Sequence, residues 1–288
     1  MSLLQQKYTS LLTHLTPSNL NVTLHKHQQP ILLATGVTIL TTPFLAYSWS
    51  CYQQWRALGR GGVPYNFAGW LVQTSFHLFA RSDVREPIPK SYTSISDIGA
   101  IYGNAGGKSY LPTAGLEKRK GPRPTVPSFV APQRQTSDTP KPPDATVSKL
   151  QNFLEELAKL NPHIFEIKTS RLEGPLHQAI WLTPSPPNQD ERKVRLGWGS
   201  GGEFAHVHGE ASSHLILSPA DAATAIEAGW VERHRLSGVG GARAMVPWGY
   251  VLVYAPRNGE EAGVWRELII AGARYVAEGL GVEVVVPE

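Results

Sequence analysis

Four of the chain's ten histidines, His206, His208, His214 and His234, fall within one stretch of 29 residues. His206-Val207-His208 is the sharpest element. In an extended strand, side chains two apart share a face, so both imidazoles would project together while Ala205 and Val207 project oppositely. His214 follows after a short turn containing Gly and Ser, on what should be the paired strand. His234 sits between Arg233 and Arg235 on a further strand. Three uses of such a group stay open. Imidazole titrates near neutrality, which suits a general base or a proton relay. Two or three neutral ring nitrogens with a carboxylate such as Glu203 or Glu210 could instead hold Fe, Zn or Cu. The histidines could also be separate, each hydrogen-bonded within a sheet. Spacing alone does not rank these.

Other chemistries lack their residues. Gly199-Ser200-Gly201 does not have the spacing of a nucleophile elbow. Gly103–Ser109 imitates a phosphate loop, but Tyr102 stands where the first glycine is needed and no apolar strand precedes it. Gly238-Val239-Gly240-Gly241 opens a loop rather than a helix, so no dinucleotide site is implied. With one cysteine, Cys51, there is neither an internal disulfide nor a thiolate zinc site. The net charge of +4 is mild, and no stretch interleaves aromatics with dense Lys and Arg, so a nucleic-acid partner is not expected.

The elements that must position the histidines lie toward the C-terminal end. The expected organisation is an N-terminal segment over 1–29, a transmembrane anchor over 30–50, a juxtamembrane region over 51–111, a Pro-rich connector over 112–146 and an α+β domain over 147–288. No Lys, Arg, Asp or Glu occurs between Lys26 and Arg56, and about 20 apolar residues span a bilayer core. Tyr47, Trp49, Tyr52 and Trp55 would form an aromatic belt at its far end. The expected partner of this segment is therefore a membrane, crossed once, with an endomembrane such as the endoplasmic reticulum the expected location. Tyr65–Phe79 reads as a short apolar helix, interfacial or packed on the domain. Eight prolines between Pro112 and Thr146 forbid regular helix or central strand there and predict an extended connector, free to wrap the domain.

Within the domain, Leu150, Phe153, Leu154, Leu157 and Leu160 recur at helical spacing. Ile164–Lys168, Ala179–Leu182, Val194–Leu196, Glu203–His208, Trp230–Leu236 and Tyr250–Tyr254 read as strands. Ser218 with Pro219 and Asp221 starts one helix, which Gly229 ends. Asn258 caps a last helix whose apolar face carries Val264, Trp265, Leu268 and Ile269. This order predicts α+β, an antiparallel sheet with helices packed on one face.

Three blocks resemble the signatures of the fungal luciferases: Glu203-Phe204-Ala205-His206-Val207-His208, Gly229-Trp230-Val231-Glu232-Arg233-His234, and Tyr254-Ala255-Pro256-Arg257-Asn258 followed by Glu260-Glu261-Ala262. Tyr52–Phe79 and Pro122–Gln135 are similar to that family's upstream region. The resemblance implies a small-molecule phenolic or pyrone substrate, 3-hydroxyhispidin-like, and O2 as co-substrate. It further implies an endoperoxide that loses CO2, emission of light, and no required organic cofactor. A histidine base drawn from His206, His208, His214 and His234 would make the pyrone enolate, and a dry apolar pocket would protect the intermediate. Glu203, Trp230, Trp248 and Arg257 are the candidate substrate contacts, the tryptophans as pocket walls and Arg257 for the enolate oxygens. Two departures stand out. The segment between His208 and His214 is shorter than in luminous members, and Gly209 occupies a position where an acidic residue is expected.

Overall fold

A computed structural model describes residues 28–136, 145–175, 177–183 and 194–288. The N-terminal segment up to residue 27 and the connector residues 137–144 lie outside the described residues. The chain divides into two units, Met1–Gln54 and Trp55–Glu288.

The described part of the first unit is helical and belongs to α1 (Gln28–Ala57). The expected membrane anchor is corrected here: among the described residues, no helix is long and apolar enough to cross a membrane. The reason lies in the sequence. Freedom from charge is not the same as apolarity, and Thr35, Thr38, Thr41, Thr42, Pro43, Ser48 and Ser50 dilute the leucines and isoleucines. Thr41 Oγ1 donates back to the Val37 carbonyl at 2.8 Å, as helical threonines do.

The second unit is built on six antiparallel strands: β1 (Phe165–Thr169), β2 (Gln178–Leu182), β3 (Glu203–Val207), β4 (Ser213–Ile216), β5 (Val231–Arg233) and β6 (Tyr250–Val253). Their spatial order is β1-β2-β3-β4-β6-β5. Val194–Leu196, expected as a strand, is a helical turn instead. Three residues of apolar character do not distinguish the two, and no strand edge is left for it to pair with between β2 and β3.

Residues opposite each other in antiparallel strands share a face, so the register sorts the sheet into two. One face carries Phe165, Ile180, Ala205, Val207, Leu215, Val251 and Val253, all in the apolar core. Against it pack α4 (Ala145–Leu160) and α6 (Gly259–Ala277). Helix α4 buries Leu150, Leu154 and Leu157, the spacing of one helical stripe. Helix α6 starts where the Asn258 side chain accepts from Glu261 N at 2.9 Å. It lodges Trp265 against the sheet, with the indole Nε1 donating to Ser213 Oγ at 2.9 Å. Helix α5 (Pro219–Glu227) sits against β5, capped by Ser218, whose side chain accepts from Asp221 N.

The opposite face carries Ala179, His206, His214, Leu252 and Glu232 in one row of cross-strand neighbours. The proline-rich stretch covers it. Val126 packs on Leu252 and Tyr254. Gln133 Nε2 donates to Glu232 Oε1 and to the Arg233 carbonyl, each at 3.2 Å, and Gln135 Oε1 accepts from Ala255 N at 2.9 Å. Upstream, α2 (Phe67–Phe76) buries Trp70 and Gln73 while Phe67, Leu71 and Val72 stay exposed. The short α3 (Ile95–Gly99) opens with a capping box between Ser94 and Asp97.

The Trp265–Ser213 bond joins the helical layer to the centre of the sheet, and both groups are buried. Trp265→Phe is expected to lower unfolding stability by about 1–3 kcal/mol, the cost of a buried hydroxyl left unpaired. Urea unfolding followed by circular dichroism would measure it. An unchanged midpoint would show that the bond adds nothing.

Candidate active site

The histidines meet on the sheet face away from α4 and α6. His206 and His214 are direct cross-strand partners, and their ring centroids lie 5.3 Å apart. His208 stands 5.0 Å from His206 and 4.9 Å from His214. All three are almost wholly buried. His234 follows β5, with its ring 5.3 Å from His214. Tyr250 stacks on His214 at 4.8 Å and 18°. The four predicted histidines therefore form one cluster.

Its foundation is Glu203. In a regular strand, residues three apart face opposite sides. Here the β2–β3 register shifts between Ile180 and Trp181, so that Ala179 pairs with His206 but Trp181 pairs with Glu203. One extra residue, Phe204, is taken up by the bulge. Its ring stays in the core, 5.2 Å from Phe165, and Glu203 turns onto the face of His206. The carboxylate then accepts from His206 Nδ1 at 2.6 Å, Ser170 Oγ at 2.8 Å, Arg171 N at 2.7 Å and Leu172 N at 3.2 Å. Burial alone would raise its pKa. The bonds and nearby charge of His206, with those from Ser170 and Arg171, outweigh burial and hold the carboxyl below its usual range.

Each of the other rings is also held through Nδ1. His208 Nδ1 meets Ser212 Oγ at 2.8 Å across the hairpin turn, and Ser212 Oγ donates to Glu210 Oε1. The turn closes with His208 N donating to the Ser212 carbonyl at 2.8 Å. It carries Ala211 at φ +70°, a conformation uncommon outside glycine. His214 Nδ1 donates to the Val251 carbonyl at 3.2 Å. His234 is held differently: its Nδ1 accepts from Leu236 N at 3.1 Å. Burial, then the positive charge His206 and Arg134 can carry, pushes His208 well below the usual imidazole value. Burial and the neighbouring rings do the same for His214. Burial takes His234 down to about 4, against a raising bond to Val130. These three rings are neutral bases at neutral pH.

A cavity of about 150 Å³ opens beside them, walled by His214, His234, Tyr250, Glu173, Phe76 and Met245 among others. Gly62, Leu172 and Glu173 also line a wider cleft of about 510 Å³, together with Arg60, Tyr65 and Arg171. Glu173 forms an ion pair with Arg134. Arg134 also donates to the carbonyls of Leu58 and Arg60 and to His177 Nε2, at 2.8, 2.7 and 3.3 Å.

The expected substrate contacts fall elsewhere. Glu203 is turned toward His206 and backbone amides rather than the cavity. Trp230 donates to the Glu117 carbonyl at 2.7 Å and lines a separate groove that also holds Arg257. Arg257 pairs with Glu261 and donates to the Lys120 carbonyl, which makes it a brace at the start of α6. Trp248 packs with Ile98 and Tyr102 in a small cluster, where Arg81 lies 4.3 Å from its ring centroid. Apolar bulk predicts that a tryptophan is covered, but not by what. Residues missed from sequence include Ser212, Glu173, His177 and Arg134. Arg134 did leave a signal: Gln133-Arg134-Gln135 is a run of long polar side chains among prolines, which a merely solvated linker does not need.

Rings kept neutral by burial tie stability to pH. Above the ordinary value of 6.5, the folded and unfolded imidazoles are both neutral. Below it the unfolded chain binds protons that the fold refuses, so stability should fall steadily as pH drops from 6.5 toward about 4 for His234. Urea midpoints across that range would measure the fall, and His234→Gln should flatten it. A slope unchanged by that substitution would show that His234 is not a contributor.

The family described as Luciferase domain matches residues 201–272, from the start of β3 into α6. A luciferase of Armillaria gallica is 28% identical over 84% of this chain and 86% of its own length. That of Armillaria ostoyae is 28% identical over 78% and 80%, and that of Neonothopanus nambi 26% over 78% and 79%. No solved structure matches. The luciferase-domain match lies on the strands that carry the histidines, and the chain is similar to the fungal luciferases through most of its length.

Proposed function

We propose that this chain is a luciferase-like oxidoreductase that uses O2 to oxidise a hydroxypyrone or related phenolic, without an organic cofactor. The observation that carries the reading is the closure of His206, His208 and His214 into one buried cluster, with His214 at the wall of a cavity. The likeness to fungal luciferases supports it. A hydroxypyrone must lose its hydroxyl proton before it is electron-rich enough to meet O2. Neutral imidazoles out of water are suited to promote that loss. The resulting enolate supplies the electron pair for the first carbon–oxygen bond to O2. Ring closure makes the second, and the lactone carbon leaves as CO2. Exclusion of bulk water protects the peroxide formed on the way. The wider cleft, with Arg60, Arg171 and Tyr65, is suited to hold the rest of a substrate too long for the inner cavity.

His206→Gln and His208→Gln keep size and hydrogen bonding but weaken the basic nitrogen. Each is expected to lower oxygen uptake with a 3-hydroxylated styrylpyrone by about 10²–10⁴-fold, the usual contribution of a positioned base. Both variants should remain folded by circular dichroism. Wild-type uptake in the double variant would remove the cluster from the chemistry.

A further inference from the structure

We propose that His206, His208 and His214 form a three-nitrogen centre for one divalent first-row transition ion, open on the side of the cavity to an anionic oxygen ligand. This deepens the reading of the same site given above with one change: once each Nε2 holds the ion, the ion as a Lewis acid, and not a free imidazole, would promote loss of the hydroxyl proton.

The argument begins with the tautomers. Glu203 already accepts from Ser170 Oγ and two backbone amides, so the His206 Nδ1 beside it must be the donor. Ser212 Oγ has a single proton, which it gives to Glu210, so it accepts from His208 Nδ1. The Val251 carbonyl can only accept, which fixes a proton on His214 Nδ1. For each ring in its neutral form the lone pair is thereby left on Nε2.

Those lone pairs are not spread apart. His206 Nε2 and His208 Nε2 stand 3.2 Å from each other, and with His214 one ring nitrogen of each lies within 4.8 Å of the others. Two lone pairs at that separation repel unless they share a cation, either a proton bridging the two rings or a metal ion. Metal–nitrogen bonds of about 2.0–2.1 Å span the 3.2 Å gap between the first two, and a separation as wide as 4.8 Å to His214 would have to close by a small turn of that ring. The partners on Nδ1 are those that metal-ligating histidines use: a carboxylate, a carbonyl and a hydroxyl bonded on to a carboxylate. His234 does not belong to the set, since its Nδ1 is taken by Leu236 N.

The donor set selects the ion. Neutral imidazoles with no oxygen ligand suit Fe(II), Cu(II) or Zn(II) and not Mg or Ca. Three protein ligands leave coordination positions free, and His214 borders the cavity. The nearest charges are the carboxylates of Glu203 and Glu210 and an Arg134–Glu173 pair that cancels itself. A divalent ion with open positions takes a hard anionic donor, and an enolate or phenolate oxygen is one. Substrates of that class would therefore bind to the ion directly.

The test uses the full chain, purified without chelator or polyhistidine tag, and assayed for metals by mass spectrometry. About one equivalent of ion per chain is expected. After chelation, added Co(II) should give the visible bands of a low-coordinate nitrogen site. Glu203→Gln should weaken Co(II) binding about 10–100-fold, as loss of an outer-shell partner does. His208→Gln should abolish the bands, and His234→Gln should leave the stoichiometry unchanged. Circular dichroism checks that each variant folds. Absence of bound metal in the purified chain, together with no band on adding Co(II), overturns the centre. So does binding that His208→Gln leaves intact. A metal-free chain with full oxygen uptake sinks the centre and leaves the oxidation standing. A loaded chain inert toward every hydroxypyrone sinks the oxidation and leaves the centre.

Discussion

The arrangement depends on one hydrogen bond, from His206 Nδ1 to Glu203 at 2.6 Å, made where water cannot reach either group. A buried carboxylate is costly unless every lone pair finds a donor. Glu203 meets that demand with four, and two of them are backbone amides at Arg171 and Leu172. The loop after β1 is thus pinned to β3 by the same group that orients the imidazole. That loop carries Leu172 and Glu173, which line both the cavity and the cleft. The His206 ring and the mouth of the cavity share an anchor.

A sheet face bearing Glu203, His206, His214 and Glu232 cannot be covered by an ordinary amphipathic helix, whose apolar stripe would leave those groups unpaired. The chain covers it with extended, proline-rich backbone instead. Proline removes backbone donors that would need partners of their own, while Gln133, Arg134 and Gln135 reach down to satisfy the sheet. Trp55, wholly buried, ties this cover down by donating to the Ala131 carbonyl at 2.8 Å. The segment upstream of the luciferase match is therefore part of the site's construction.

Much of this was legible in the residues and some was not. Strand periodicity alone placed His206 and His208 together, and the caps at Ser218 and Asn258 marked two helix starts found in the structure. Glu203 was picked out, but as a substrate contact. Its actual direction depends on a bulge, and a one-residue shift in register has no signature in a single strand's sequence. Val194–Leu196 failed for a related reason, since three residues carry too little period to separate strand from helix. Trp230, Trp248 and Arg257 were judged by chemical type. Their partners, Glu117, Ile98 and Glu261, are set by long-range packing or by a brace that composition does not reveal. The uncharged run in α1 misled because charge and hydropathy are different quantities.

The fold also places a wide cleft beside a smaller cavity. Glycines at 61 and 62 let the backbone pass against the Arg134–Glu173 pair, where a side chain at Gly61 would collide with both. Gly62, Leu172 and Glu173 line both the wide cleft and the inner cavity, and Arg134 holds Glu173 there. Charges paired in this way present little net field to a molecule entering past them. Glu203, held by four donors, lies outside the cavity lining. The outer cleft presents the guanidinium groups of Arg60 and Arg171 beside Tyr65, while the inner cavity presents His214 and Tyr250.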